Sequence, residues 1–197
     1  AEFNRLIQKS YDFTLAIALP MTIGLIFCAP SLITALCGVK FEHSILPSQI
    51  IAPIILMVAI SNVFGIQVLF PKGKINIVTL CCGIGAVADL ILNLCLIPLF
   101  SYIGTSIAYL GAEVATTVSM YFIGRKYIPI IYFKKSHLTY SLGCIVMAFA
   151  LYGLSLLQLP TLTILLLQAC SGVLAYFIIL CICKDEMLVQ ILSKIKR

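Results

Sequence analysis

Residues 75–124 read INIVTLCCGIGAVADLILNLCLIPLFSYIGTSIAYLGAEVATTVSMYFIG, a stretch with no lysine or arginine and only two acidic residues, Asp89 and Glu113. A helix needs about 20 mostly apolar residues to cross the hydrocarbon core of a bilayer. This stretch holds two such helices, over 76–97 and 103–124, joined through the uncharged connection from Ile97 to Gly104. Working outward, the same criterion predicts spans over 11–36 and 48–70 before it, and over 138–159 and 161–183 after it. The fold class expected is all-α integral membrane, with six transmembrane helices.

Composition agrees with a lipid solvent. Hydrophobic residues make up 62% of the chain and charged residues 10%, and the mean hydropathy is +1.14. That leaves too little polar surface to coat a water-soluble globule. The basic residues alternate from one connection to the next. Arg5 and Lys9 precede the first span, Lys72 and Lys74 lie between the second and third, Arg125, Lys126, Lys134 and Lys135 between the fourth and fifth, and Lys184, Lys194, Lys196 and Arg197 follow the sixth; only Lys40 falls on the other side. Cytoplasmic loops hold the positive charge, so both ends of the segment are expected on the cytoplasmic face. The net charge of +6 then reflects topology and contact with anionic lipid, and a nucleic-acid partner is not expected.

The chain divides into a cytoplasmic amphipathic lead-in (1–10), four spans (11–124), a basic cytoplasmic loop (125–137), a terminal transmembrane hairpin (138–183) and an amphipathic tail (184–197). It opens at Ala1 inside the amphipathic run of Phe3, Leu6 and Ile7, which reads as the continuation of a longer chain with earlier helices before it. The loop and the tail mix basic with apolar or aromatic residues. They serve either as interfacial anchors or as a surface that recognises a lipid diphosphate. Pro20 and Pro30 place kinks in the first span, either packed or part of a moving gate. Gly104, Ala108 and Ala112, four apart, predict close helix packing.

Asp89 lies about 13 residues into its span and Glu113 about 10 into the next, roughly 20 and 15 Å at 1.5 Å per residue. Acids at such depth are costly and are functional candidates by default. Asn93 shares a helical face with Asp89, and Tyr109, Thr116 and Thr117 stand beside Glu113. Three roles stay open for the acids: a protonated group bonded to a neighbouring helix, an ion or proton coupling site, or a partner for a cation on a preceding helix. No catalytic or metal-binding pattern emerges. The nine cysteines fall in or at the ends of spans with no CxxC pair, and His43 and His137 are placed in loops away from any ligand spacing. Neither an enzyme nor a cofactor is expected.

From Leu19 to Tyr121 the order of features resembles the polysaccharide flippases of the MATE-like MOP superfamily, which carry lipid-linked O-antigen, capsule or exopolysaccharide repeat units. The resemblance runs through Leu19-Pro20 to the Leu36-Cys37-Gly38 loop, then Asn62, Gly65 and Gln67 to Pro71-Lys72-Gly73-Lys74. It continues through Leu90 to Pro98 and Ile103 to Ala108, with Glu113 downstream. It implies the C-terminal portion of a two-bundle transporter, with 11–124 in the second bundle. The implied function is alternating-access flipping of undecaprenyl-diphosphate-linked oligosaccharides in the bacterial cytoplasmic membrane, with a polysaccharide polymerase as a possible partner. Family members commonly carry Asn where this chain has Asp89, so an ion-coupling role there is read from its chemistry alone. The pathway candidates are Asp89, Asn93, Glu113, Asn62 and Gln67. The phosphate candidates at the cytoplasmic mouth are Lys72, Lys74, Arg125 and Lys126. The alternatives are an ion-coupled drug or metabolite exporter of the same superfamily and a non-transport membrane protein.

Overall fold

In lipid no water is at hand to satisfy backbone amides, so apolar runs of this length form helices that satisfy their own. The computed structural model describes residues 2–131, 134–157 and 160–183, with only the backbone of Lys135. Its six helical passes are long and apolar enough to cross a membrane. Helix α1 (Glu2–Cys37) makes the first. The second is composite: a 3-10 segment (Val39–Ser44), α2 (Ile45–Ile51), α3 (Ile54–Asn62) and a π-helical segment (Val63–Leu69). Then follow α4 (Ile75–Phe100), α5 (Tyr102–Gly124), α6 (Lys135–Ser155) and α7 (Thr161–Ile182).

The six passes match the six expected, but several ends differ. α1 starts at Glu2, so the amphipathic lead-in is its first turns rather than a separate element. The second pass, expected as one helix over 48–70, breaks at Ala52-Pro53. Proline has no N–H to give to the residue four back, and the chain resumes with the Leu56 N–H on the Pro53 carbonyl at 3.1 Å. After Asn62 the helix widens, and at its end the Phe70 N–H reaches the Gly65 carbonyl, five residues back, at 2.9 Å. Wide turns of this kind are rare and concentrate at functional places. α6 begins early enough that His137, expected in a loop, sits in its first turn. The expected tail, 184–197, lies outside the described residues.

Two compact units emerge, Ala1–Leu15 with Leu46–Tyr132, and Ala16–Ile45 with Phe133–Arg197. In the first, α4 and α5 form a hairpin turned by a single residue, Ser101, at φ 52°. Non-glycine residues seldom adopt positive φ. Gly104 sits against the Leu96 carbonyl, where an added Cβ would come within 2.4 Å of the oxygen. Ala108 and Ala112 continue that ladder, and both are buried. The other side of α4 exposes Leu80, Ile84, Val87, Ile91 and Leu94, a surface suited to lipid tails.

α1's first turns are held to the same unit by polar bonds. The buried Gln8 side chain accepts from the Ile131 N–H (2.8 Å) and donates to Asp12 Oδ1 (2.7 Å). Ser10 Oγ donates to Gln67 Oε1 at 2.6 Å, and Tyr11 stacks on Phe64.

The second unit packs the rest of α1 with α6 and α7 around Tyr140, Cys144, Met147 and Leu151. Pro20 leaves the Ala16 carbonyl without its usual helical donor. The Tyr176 hydroxyl of α7 donates to that carbonyl at 2.7 Å. Gly143 makes room for the donor, since a Cβ there would stand 2.9 Å from the Tyr176 ring.

Candidate functional site

The site is built where the second pass leaves α-helical geometry. α3, the π-helical segment, α4 and α5 enclose an open cleft of about 490 Å³ within the first unit. Its walls are largely apolar, among them Val58, Ile66, Val78 and Met120, and its polar groups include Asn62, Asp89, Tyr109, Glu113 and Thr116. A Cβ added at Gly65 on the widened turn would reach van der Waals contact with Met120 of α5 and Val78 of α4.

Gly85 sets the width of the cleft. A Cβ built there would fall 1.9 Å from Thr116 Oγ1 and 3.3 Å from the Ala112 carbonyl. α4 and α5 therefore touch backbone to side chain at that level. One turn beyond, Asp89 and Glu113 both line the opening, each half-buried.

The two acids are held differently. The Asn93 amide donates to Asp89 Oδ1 at 3.0 Å and to the Asp89 carbonyl at 2.9 Å. That bond restrains the carboxyl of a residue that lines the cleft. Glu113 has no hydrogen-bond partner among the described residues. Thr116 Oγ1 bonds back to the Ala112 carbonyl at 3.0 Å, and Thr117 Oγ1 donates to the Met57 carbonyl at 3.1 Å, tying α5 to α3. Half-buried carboxyls in a largely apolar cleft suit a cation or a donor-rich ligand.

The structure brings Asp89, Glu113 and Asn62 together around the cleft. Asn93 stands behind Asp89 as its positioning partner. Gln67 lies elsewhere, engaged by Ser10. None of the four basic candidates lines the cleft. Lys72 donates to the Tyr127 carbonyl at 2.5 Å, Lys74 lies over the Tyr127 ring, and Arg125 and Lys126 are exposed on the turn after α5.

Asp12 and Gln168 are among the buried polar groups that were not singled out from the sequence. Asp12, only 6% exposed, sits at the margin of the first span with Gln8 four residues before it, and that i, i+4 spacing was the available signal. Gln168 is 1% exposed in α7, and its Oε1 has no hydrogen-bond partner among the described residues. Being the lone amide in a 22-residue helix was its only mark.

No family model matches this chain, and no curated protein matches it. A solved structure, that of the lipid II flippase MurJ in an inward closed conformation, superposes with a TM-score of 0.83 at 18% identity. The match covers 94% of this chain and 40% of that one, so the chain spans about two fifths of the length of the structure it matches. At that identity the likeness is one of fold, and it extends over nearly all of the chain. The chain thus has the all-helical fold of a MurJ-like transporter, with six helices long enough to span a membrane.

Proposed function

We propose that this chain is part of a MOP-type flippase that passes a lipid-linked oligosaccharide across the bacterial cytoplasmic membrane. Its cargo is an undecaprenyl-diphosphate-linked repeat unit for surface polysaccharide. The fold likeness to a lipid II flippase along 94% of the chain carries the proposal. The order of features from Leu19 to Tyr121 supports the repeat unit as cargo. Both ends of the segment face the cytoplasm on this reading, as the placement of Lys and Arg supports. Transport follows alternating access between two bundles, of which this chain supplies helices of the second. The cleft, with Asp89 and Glu113, is the polar element of this segment on the pathway, and it couples an ion or a proton to the movement. Chemistry on the cargo is no part of the role: the chain moves a molecule rather than converting it.

The test is to delete the gene in its host and follow the lipid-linked precursor. Loss of surface polysaccharide with precursor retained in the inner leaflet supports flipping. Normal polysaccharide refutes it. A second reading rests on the cleft itself, because two half-buried carboxyls suit a cationic cargo. Under that reading the protein is an ion-coupled exporter, and the deletion sensitises cells to cationic drugs while leaving polysaccharide intact.

A further inference from the structure

Lys72, Lys74, Arg125 and Lys126 gather around one residue, Tyr127. Lys72 Nζ donates to its carbonyl at 2.5 Å and stands 5.5 Å from the centre of the Phe3 ring. Lys74 Nζ stands 5.1 Å from the centre of the Tyr127 ring. Arg125 and Lys126 immediately precede Tyr127, whose N–H closes the turn on the Gly124 carbonyl at 2.8 Å. The turn before α4 and the turn after α5 are thereby clasped together.

The partners in this clasp are a carbonyl and two aromatic faces. They orient the lysines and leave their charge uncompensated. Among the described residues no carboxylate pairs with any of the four. Basic residues without a carboxylate partner at the end of a membrane-spanning hairpin attract an anion. The same end of the unit exposes Phe70 (57%), Ile75 (48%) and Ile131 (60%), so apolar side chains stand beside the cations. Cations next to apolar surface, at the ends of helices that span the bilayer, match a phosphate headgroup joined to its acyl chains.

We infer that this clasp binds the phosphate headgroup of an anionic membrane phospholipid, at a site separate from the cleft. The inference rests on α4 and α5 being membrane-spanning and is independent of the cargo. The apolar neighbours favour a lipid over free phosphate. The absence of all four cations from the cleft lining favours a resident lipid over the transported diphosphate.

The test is native mass spectrometry of the whole protein, purified in detergent and titrated with phosphatidylglycerol, phosphatidylcholine, inorganic phosphate or a prenyl diphosphate. Phosphatidylglycerol is expected to bind in preference to phosphatidylcholine. The double variant R125Q/K126Q, which touches neither lysine of the clasp, lowers its occupancy about tenfold or more. The charge-preserving R125K/K126R keeps it. Equal phosphatidylglycerol occupancy in R125Q/K126Q overturns the inference. So does retention of the prenyl diphosphate without phosphatidylglycerol, which makes the clasp a cargo site, and so does displacement of the lipid by an equal concentration of inorganic phosphate. Precursor accumulation in the deletion strain reads the transport proposal separately, so failure of one leaves the other standing.

Discussion

The α4–α5 pair and the α6–α7 pair are both apolar antiparallel hairpins, yet they place their polar side chains differently. α4 and α5 meet through Gly85, Gly104, Ala108 and Ala112, and the closeness of their backbones opens a cleft on one side that admits Asp89 and Glu113. α6 and α7 meet where large side chains seat on glycines, Met147 and Leu151 beside Gly172 and Tyr176 beside Gly143, and among the described residues they enclose one unpartnered side-chain oxygen, Gln168 Oε1. Small residues bring helices together in lipid. When the contact face is used up by backbone approach, the adjacent face is free to be polar.

Glycine substitutions break this contrast most forcefully. Gly104→Ala drives a Cβ against the Leu96 carbonyl, a backbone atom that cannot rotate away, and Gly85→Ala meets Thr116 at 1.9 Å. Overpacking of this kind costs about 1–3 kcal/mol or more. Gly104→Ala is expected to lower the thermal midpoint markedly, and Gly104→Val to abolish folding. Gly83→Ala on the same helix α4 meets nothing within 4 Å and is expected to be neutral or slightly stabilising. Equal melting temperatures for Gly104→Ala and Gly83→Ala would remove backbone approach as the cause of the cleft.

Substitution of the acids sharpens the functional side of the comparison. Asp89→Asn keeps the size of the side chain and a carbonyl oxygen for the Asn93 amide, so the fold is expected to survive with a near-normal melt. Flipping, measured by restoration of surface polysaccharide, is expected to fall at least tenfold, which corresponds to about 1.4 kcal/mol. Asn93→Ala frees the Asp89 rotamer and is expected to cause a smaller loss that Asn93→Gln partly restores. Full complementation by Asp89→Asn would make the carboxyl structural.

These residues also mark how far the sequence could be read. Hydropathy and the alternation of Lys and Arg report on solvent, which acts on every residue of a span, so six passes were legible, along with the two acids inside them. Which neighbour a given side chain meets depends on contacts distant in sequence. Gln67 and Asn62 lie on one apolar run, yet one is engaged by Ser10 of α1 and the other faces the cleft. The break at Pro53 was present as a residue, but whether a helix bends or stops there is decided by packing. Asp12 escaped notice because it sits at the edge of its span, where an acid is ordinary. Its burial comes from α1 starting early and docking on 128–131.

Gln168 offers a test in which removing a polar group helps. Its Oε1 is buried without a partner among the described residues, a state that costs about 1–3 kcal/mol. Gln168→Leu keeps the volume and removes the orphan, and it is expected to raise the thermal midpoint by a few degrees with transport unchanged. The same Leu substitution at Glu113 is expected to impair transport, because that side chain opens on the cleft rather than into a closed core. A destabilised Gln168→Leu would mean that the amide is bonded in the membrane and that the second unit holds a polar contact beyond that of Tyr176.

The smallest effect expected is that of Tyr176→Phe. The hydroxyl donates to the Ala16 carbonyl that Pro20 leaves without a helical donor, so its removal strands an acceptor inside the second unit. Interhelical bonds of this kind in membranes average about 0.6 kcal/mol, with model peptides giving about 1–2. Tyr176→Phe is therefore expected to lower stability by about 1 kcal/mol. The double variant with Pro20→Ala should recover most of it, because alanine restores the N–H that bonds Ala16 within α1. That rescue separates a lost hydrogen bond from lost ring packing, which Phe preserves. If Pro20→Ala does not rescue, the stranded Ala16 carbonyl is not the cause of the loss, and the Tyr176 hydroxyl serves another partner in the second unit.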